Sequence, residues 1–326
     1  MKHTINLEPA QEILDGRQLT PLIRRWLEEQ RLRTDVSAHT AGCYADKLAY
    51  FIEWWENVGP WCDWELTKDK LVQFNTWLMV VDSQYGTKLQ YNTRKDITKR
   101  LRQCFRWAKV RDYVQLDIAS WVQNPTGEAP LREKATLDEL AALMRAAAET
   151  RNSVRNEALL ALYIGTGVRR AEAVGLDVPD IHMDADLSGT ARVRKAKRVK
   201  GREVRGRVIA FDRWTGSYLA ALLNTYPDQS GPLFRSRHGG QRLGDAAAYQ
   251  VVKDSVQRAG LSDRIQGPHD LRRNFATWFS KQHRGELYGR LLSRQLGHSG
   301  FVMTDHYILH DPGDLQEVIR SPLADY

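Results

Sequence analysis

The 326-residue chain holds only three cysteines, Cys43, Cys62 and Cys104. Their odd number and wide spacing exclude a disulfide framework and a thiolate metal site. Long apolar runs are missing, and none approaches the roughly 18–20 residues a membrane span needs. The first residues, "MKHTINLEPAQEILDG", contain no continuous apolar segment and no small-residue cleavage site, so a cytoplasmic location is expected. Internal repeats and low-complexity tracts are absent. So is a carboxylate cluster of the kind Mg²⁺ requires, which argues against two-metal phosphoryl transfer.

The chain does contain 42% hydrophobic and 27% charged residues, enough for real cores in a water-facing protein. Its length suggests two domains. Lys and Arg number 48 against 40 Asp and Glu, a net charge of +8. The surplus is concentrated. Residues 192–207, "RVRKAKRVKGREVRGR", carry nine Lys or Arg and one acid, Glu203. Such a run suits a surface facing phosphate, and it equally suits a solvated hairpin tip.

Residues 1–123 read as helical. "LTPLIRRWLEEQRLR" opens with a Thr-Pro entry at Thr20 and Pro21 and puts Leu22, Ile23, Trp26 and Leu27 on one face. "SAHTAGCYADKLAYFIEWW" carries Tyr44, Leu48, Phe51, Ile52 and Trp55 at helical spacing, and Thr67 caps "TKDKLVQFNTWLMVV". "NTRKDITKRLRQCFRWAKV" turns Ile97, Leu101, Phe105 and Ala108 inward. It turns Arg94, Lys95, Lys99, Arg100, Arg102, Arg106 and Lys109 outward, a candidate surface for DNA-backbone contact or a merely solvated face. Residues 124–134, "NPTGEAPLREK", read as a linker. Thr136 and Glu139 then have capping-box spacing at the start of a second unit, 135–326. That unit is mostly helical, with two strands, "ARVRKAKRV" and "GRVIAFD", around the basic tip.

Four stretches of the second unit carry chemistry. In "GTGVRRAEAVGL" a helix ending at Ile164 meets Gly165 and Gly167, and Arg169 then has Glu172 three residues on to orient it. In "GPHDLRRNFATWFS" Pro268 suits the first helical turn, His269 and Arg272 share a face, and Leu271, Phe275, Trp278 and Phe279 form the buried one. "LLSRQLGHSGFVMTDHYILH" supplies His298 after Gly297, then Tyr307 and His310. The basic hairpin supplies lysines. Two arginines and a His can neutralise the oxygens of a phosphodiester, a second His can move a proton, a Lys can protonate a leaving oxygen, and a Tyr can attack. Each stretch also has a bland reading: a surface ion pair, a capping His, a packed Tyr.

The ordered set of "TGVRRAE", a hairpin lysine, "HDLRRNFAT" and "LGHSG" followed by Tyr307 resembles the tyrosine recombinases, or phage-type integrases. The helical front half resembles that family's SAM-like core-binding domain. The resemblance implies a mainly α fold with a small β-sheet: a helical DNA-binding domain (1–123), a linker (124–134) and an α+β catalytic domain (135–326), closing as a clamp around DNA. It implies that Tyr307 attacks the scissile phosphate to give a 3′-phosphotyrosyl link and a free 5′-hydroxyl. Arg169, Arg272 and His298 would stabilise the transition state and His269 would assist the proton transfer, with Glu172 and His310 in support. A hairpin lysine would be the general acid. Strand counting favours Lys197, with Lys200 and Lys195 as alternatives. Neither ATP nor metal would be needed, since the bond energy is kept in the covalent link. Arg94, Lys95, Lys99, Arg102 and Arg106 would meet DNA in the first domain.

The implied partners are double-stranded DNA with specific sites and three further copies of the chain. An accessory DNA-bending or directionality factor is left open as another, and the location would be nucleoid-associated. Two positions depart from the family pattern: Arg273, where a His is common, and Gly300, where a Ser or Thr is common. The roughly 17 residues before the first helix are short for a separate arm-binding domain, so a simple two-domain recombinase is expected. A helix over residues 313–319 is expected to dock on a neighbouring protomer. The competing readings are a type IB topoisomerase-like relaxing enzyme, a catalytically inactive DNA-binding regulator, and a metal hydrolase using His269, Asp270, His298 and His306, which lack a recognised ligand spacing.

Overall fold

The computed structural model describes residues 16–58, 64–83, 85–128, 133–194, 206–237, 240–283, 285–297, 316 and 318–325. The chain divides into two compact units, Met1–Leu131 and Arg132–Tyr326. Among the described residues, no helix is long and apolar enough to cross a membrane.

The first unit is built on α1 (Leu19–Leu32), α2 (Ala38–Glu53), α3 (Lys68–Val80) and α4 (Tyr91–Val110). Ser37 caps α2 by accepting from the Thr40 amide, and Thr67 caps α3 by accepting from the Lys70 amide. The start of α1 differs from the Thr-Pro entry expected. A short 3₁₀ turn (Gly16–Gln18) leads straight into Leu19, and Thr20 is buried rather than capping. The reason is tertiary: the Trp55 indole donates to the Gly16 carbonyl at 2.9 Å and draws that turn onto the core. Phe51 centres the core, with Phe74 at 5.1 Å, Phe105 at 5.9 Å and Trp55 at 6.1 Å between ring centroids. Ile97, Leu101, Phe105 and Ala108 of α4 are all buried, as their spacing predicts.

The second unit starts at α5 (Leu137–Ala148), whose capping box is present as expected: Thr136 accepts from the Glu139 amide and Glu139 accepts from the Thr136 amide. The central element is α6 (Ser153–Thr166), buried continuously from Ala158 to Thr166 by α5, α8 (Arg213–Leu223), α10 (Pro268–Gln282) and a strand, β3 (Arg207–Phe211). This helix runs two residues past the expected Ile164 end. Gly165 is helical and lies so close to α8 that a Cβ would stand 2.0 Å from Thr215 Oγ1; only Gly167, at φ +63°, leaves the helix.

The sheet has three strands rather than two: β1 (Ile181–Met183), β2 (Gly189–Val193) and β3 (Arg207–Phe211), antiparallel in that order. β1 spans three residues, too few for a periodic signal. Val193 pairs with Arg207 at the open end of the hairpin, whose tip, 195–205, lies outside the described residues. Helices α7 (Arg170–Gly175), α9 (Asp245–Arg258) and α11 (Glu286–Leu296) are the other helices of its described residues.

The helix expected to dock on a neighbouring protomer, 313–319, lies mostly outside the described residues, and the described part of the chain's end packs on its own unit. Ile319 and Leu323 are buried in their own unit, and the Ser321 amide donates to Asp212 Oδ2 at 2.6 Å. Asp212 also caps α8 through the Thr215 amide, so one carboxylate fixes both a helix start and the chain's end. Residues 313–315 and 317 lie outside the described residues.

Candidate active site

Helix α6 ends at Gly167, and two residues later Arg169 stands at the start of α7. Its backbone amide donates to Glu172 Oε2 at 3.0 Å and its Nη1 to Glu172 Oε1 at 3.0 Å, so one carboxylate sets both the turn and the guanidinium. The other terminal nitrogen, Nη2, donates to the Gly297 carbonyl at 2.9 Å. Arg272, from the first turns of α10, donates to the Gly167 carbonyl at 2.8 Å and to the Leu296 carbonyl at 2.6 Å. The two arginines, 103 positions apart in sequence (169 to 272), thus meet at the last turn of α11. Gly297 ends that helix at φ +66°, turning orphan carbonyls, the negative end of the helix dipole, toward the guanidinium groups.

Arg272 corrects the expected face. It is buried, 6% exposed, while His269 one turn earlier is exposed. The guanidinium threads between the ends of α6 and α11, where local periodicity puts a polar surface. Arg169, Arg272 and His269 nonetheless line one open cleft of about 550 Å³, with Arg170 and Arg273 adding positive charge.

Two residues with no local sequence signal, Arg207 and Gln295, brace this cluster. Arg207, at the start of β3, grips Glu172 with both Nη atoms at 2.6 and 2.8 Å, and its Nε donates to the Gln295 carbonyl at 3.2 Å. Gln295, fully buried, accepts from the Ala210 amide at 3.0 Å and donates to the Ala210 carbonyl at 2.9 Å and the Thr166 carbonyl at 3.3 Å. No local pattern flags either: Arg207 looks like one more cation in a basic run, and Gln295 like a surface residue of α11.

Two guanidinium groups, of Arg169 and Arg207, therefore grip one carboxylate, and Arg272 lies near enough to feel its charge. Burial opposes ionisation of Glu172, but the hydrogen bonds and charge of Arg207, with those of Arg169, outweigh it and hold the carboxyl below its ordinary value. Arg272 shows the opposite imbalance. Burial first, then the charge of Arg169, push its guanidinium down to about 10. A cluster with surplus positive charge, fixed before any ligand arrives, is arranged to receive an anion.

Tyr307, His298, His310, His306, Lys195, Lys197 and Lys200 lie outside the described residues. The basic run is not uniformly free for phosphate. Arg194 donates to Asp180 at 2.6 Å and Asp177 at 2.7 Å, so Arg194 and Arg207 anchor the two sides of the hairpin base. For the metal-hydrolase reading, Asp270 accepts from the Gln266 amide at 2.9 Å and lies 3.5 Å from Arg273.

On α4 the expected DNA-facing set divides. Lys95, Lys99 and Arg106 are exposed. Arg94 is partly buried over the Tyr91 ring. Arg102 is turned onto its own chain, donating to the Val122 carbonyl at 3.2 and 2.8 Å and to Asn124 Oδ1 at 3.1 Å. Its role is to tie down the segment after α4. Outward spacing on a helix does not reveal such a partner 20 residues away.

The sequence model of the Phage integrase family matches residues 133–313, more than half of the chain. Tyrosine recombinase XerD of Mycobacterium tuberculosis is 28% identical over 309 residues, covering 91% of this chain and 95% of that protein. Among solved structures, a lambda integrase fragment bound as a dimer to a COC′ core site has a TM-score of 0.64 at 17% identity, covering 87% of this chain and 96% of that one. A lambda integrase tetramer bound to a Holliday junction has a TM-score of 0.63 at 16% identity, covering 94% of this chain and 86% of that one. These last two likenesses are of fold. The chain belongs to the phage integrase family, the tyrosine-type site-specific DNA recombinases.

Proposed function

We propose that Tyr307 is the nucleophile and that Arg169 and Arg272 are the cations that neutralise the scissile phosphate, with His298 beside them and His269 moving the proton. One observation carries this reading: Arg169 and Arg272 converge on the carbonyls of Gly297 and Leu296, directly before His298. An incoming phosphodiester exchanges those carbonyl contacts for charge-assisted bonds to its nonbridging oxygens. The tyrosyl oxygen displaces the 5′-oxygen, a hairpin lysine protonates that oxygen, and the phosphorus stays linked to the enzyme at the 3′ side. The link keeps the energy of the broken ester, so rejoining requires neither ATP nor a metal. His310 supports the phosphate site, and Lys197 is the preferred proton donor, ahead of Lys200 and Lys195.

The substrate is double-stranded DNA carrying specific sites, held by the second unit and by the exposed cations Lys95, Lys99 and Arg106 of the first. Partly buried Arg94 flanks that surface. The working assembly is a tetramer on two duplexes, a reading supported by the fold shared with the lambda integrase tetramer on its Holliday junction.

The test is covalent capture. A pool of nicked duplexes with randomised sequence is incubated with the chain, and DNA that becomes attached to protein is sequenced. Wild type is expected to enrich a defined site with a 3′ attachment, and Tyr307→Phe to enrich none. Equal capture by Tyr307→Phe would refute the assignment. On the captured duplex, a 5′-bridging sulfur leaves without a proton and should rescue Lys197→Ala; rescue of Lys200→Ala instead moves the general acid to Lys200.

A further inference from the structure

We infer that Arg207 is a positioning residue for the phosphate-binding arginines, acting through Glu172 and through the backbone of residues 295–297. The inference rests on the recombinase reading above and extends it to a residue that touches no substrate.

Three contacts point the same way. The Arg207 fork engages both oxygens of Glu172, at 2.6 and 2.8 Å, and those same oxygens hold Arg169. Its Nε donates to the Gln295 carbonyl, next to the Leu296 and Gly297 carbonyls that hold Arg272 and Arg169. Gly297 also lies directly over its head: a Cβ there would stand 2.8 Å from Arg207 Cζ and Nη1. The side chains of Arg207 and Glu172 are 11% and 4% exposed, so solvent screens the pair little.

Geometry explains why an arginine is needed. Glu172 has two oxygens and several donors to serve. A planar fork fixes its rotation, whereas an ammonium, which makes a point contact, leaves the carboxylate free to swing and Arg169 with it. Arg207 pairs across the hairpin with Val193, so it also ties the base of the lysine-bearing hairpin to the arginine site.

The experiment uses the full chain and the duplex captured by wild type, made with either a phosphate or a neutral methylphosphonate at the mapped scissile position. Removing the nonbridging charge removes much of what Arg169 and Arg272 neutralise. On phosphate, Arg207→Ala is expected to slow covalent attachment at saturating DNA by about 100-fold, the scale of an ångström-level misplacement. On methylphosphonate the loss relative to wild type should shrink to about tenfold or less. Arg207→Lys should fall between, and it is the deciding variant if Arg207→Ala fails to fold in a thermal scan. Equal losses on the two substrates would mean a general structural role, and wild-type rates for Arg207→Lys on phosphate would make the fork irrelevant. Either result overturns the inference. Failure of wild type to capture any duplex would instead strike the recombinase reading itself.

Discussion

Replacing Glu172 with Gln keeps the side chain's shape and removes its charge. The amide oxygen still accepts from one donor, but its NH₂ group then faces guanidinium donors where an oxygen accepted before. Glu172 holds Arg207 at 2.6 and 2.8 Å and Arg169 at 3.0 Å, and its side chain is 4% exposed. Breaking a buried pair of this kind costs about 3–5 kcal/mol; the low end applies, about 3 kcal/mol, because the Arg169 head remains partly open to water. For a unit of this size each kcal/mol moves the thermal midpoint by roughly 2–4 °C, giving a drop of about 6–12 °C at neutral pH. Scanning calorimetry of the full chain measures it. A drop under about 2 °C would refute the claim that Glu172 is the counter-charge of the site. The pH dependence is a second arm. The folded carboxyl lies below its ordinary value, so the stability Glu172 contributes is complete above the unfolded-state value of about 4.3. It is lost as pH falls through the lower folded-state value. The gap between wild type and Glu172→Gln should therefore narrow below about pH 4 and stay constant from about pH 6 to 8.

Three further outcomes are expected. Lys99→Ala and Arg106→Ala should each lower the salt dependence of DNA binding by about one phosphate contact, whereas Arg102→Ala should leave that slope unchanged and cost about 1–3 kcal/mol in a denaturant melt. A changed slope for Arg102→Ala would return it to the DNA-facing set. Gly297→Ala adds a side chain at φ +66° and against Arg207, so it should destabilise the chain by at least about 1–2 kcal/mol and slow cleavage; an unshifted denaturant midpoint refutes this. Gln295→Leu leaves the Ala210 amide without its buried acceptor and should cost roughly 1–3 kcal/mol, read in the same melt, with a wild-type midpoint counting against it.

Legibility followed the range of the interactions. The Thr67 and Thr136 caps are legible because a cap and its amide lie three residues apart. The stripe of Ile97, Leu101, Phe105 and Ala108 was readable because it repeats within one helix. The Arg169–Glu172 pair was readable for the same reason. Arg102 and Arg272 depart from the faces their helical spacing predicts because their partners lie on other segments: the first is tied to Val122, the second sunk between Gly167 and Leu296. Arg207 and Gln295 leave no sequence signal because neither has a partner nearby in sequence.

Residue types at short fixed spacings carry most of the helices, the Thr67 and Thr136 caps, the apolar faces and the family resemblance, but not β1, the start of α1 or the end of α6. Which cations the chain itself uses, as Arg102, Arg194 and Arg207 are used, is set by folding. That division depends on burial: the same guanidinium is a ligand group when it faces a cleft and a strut when it faces a carboxylate within the protein.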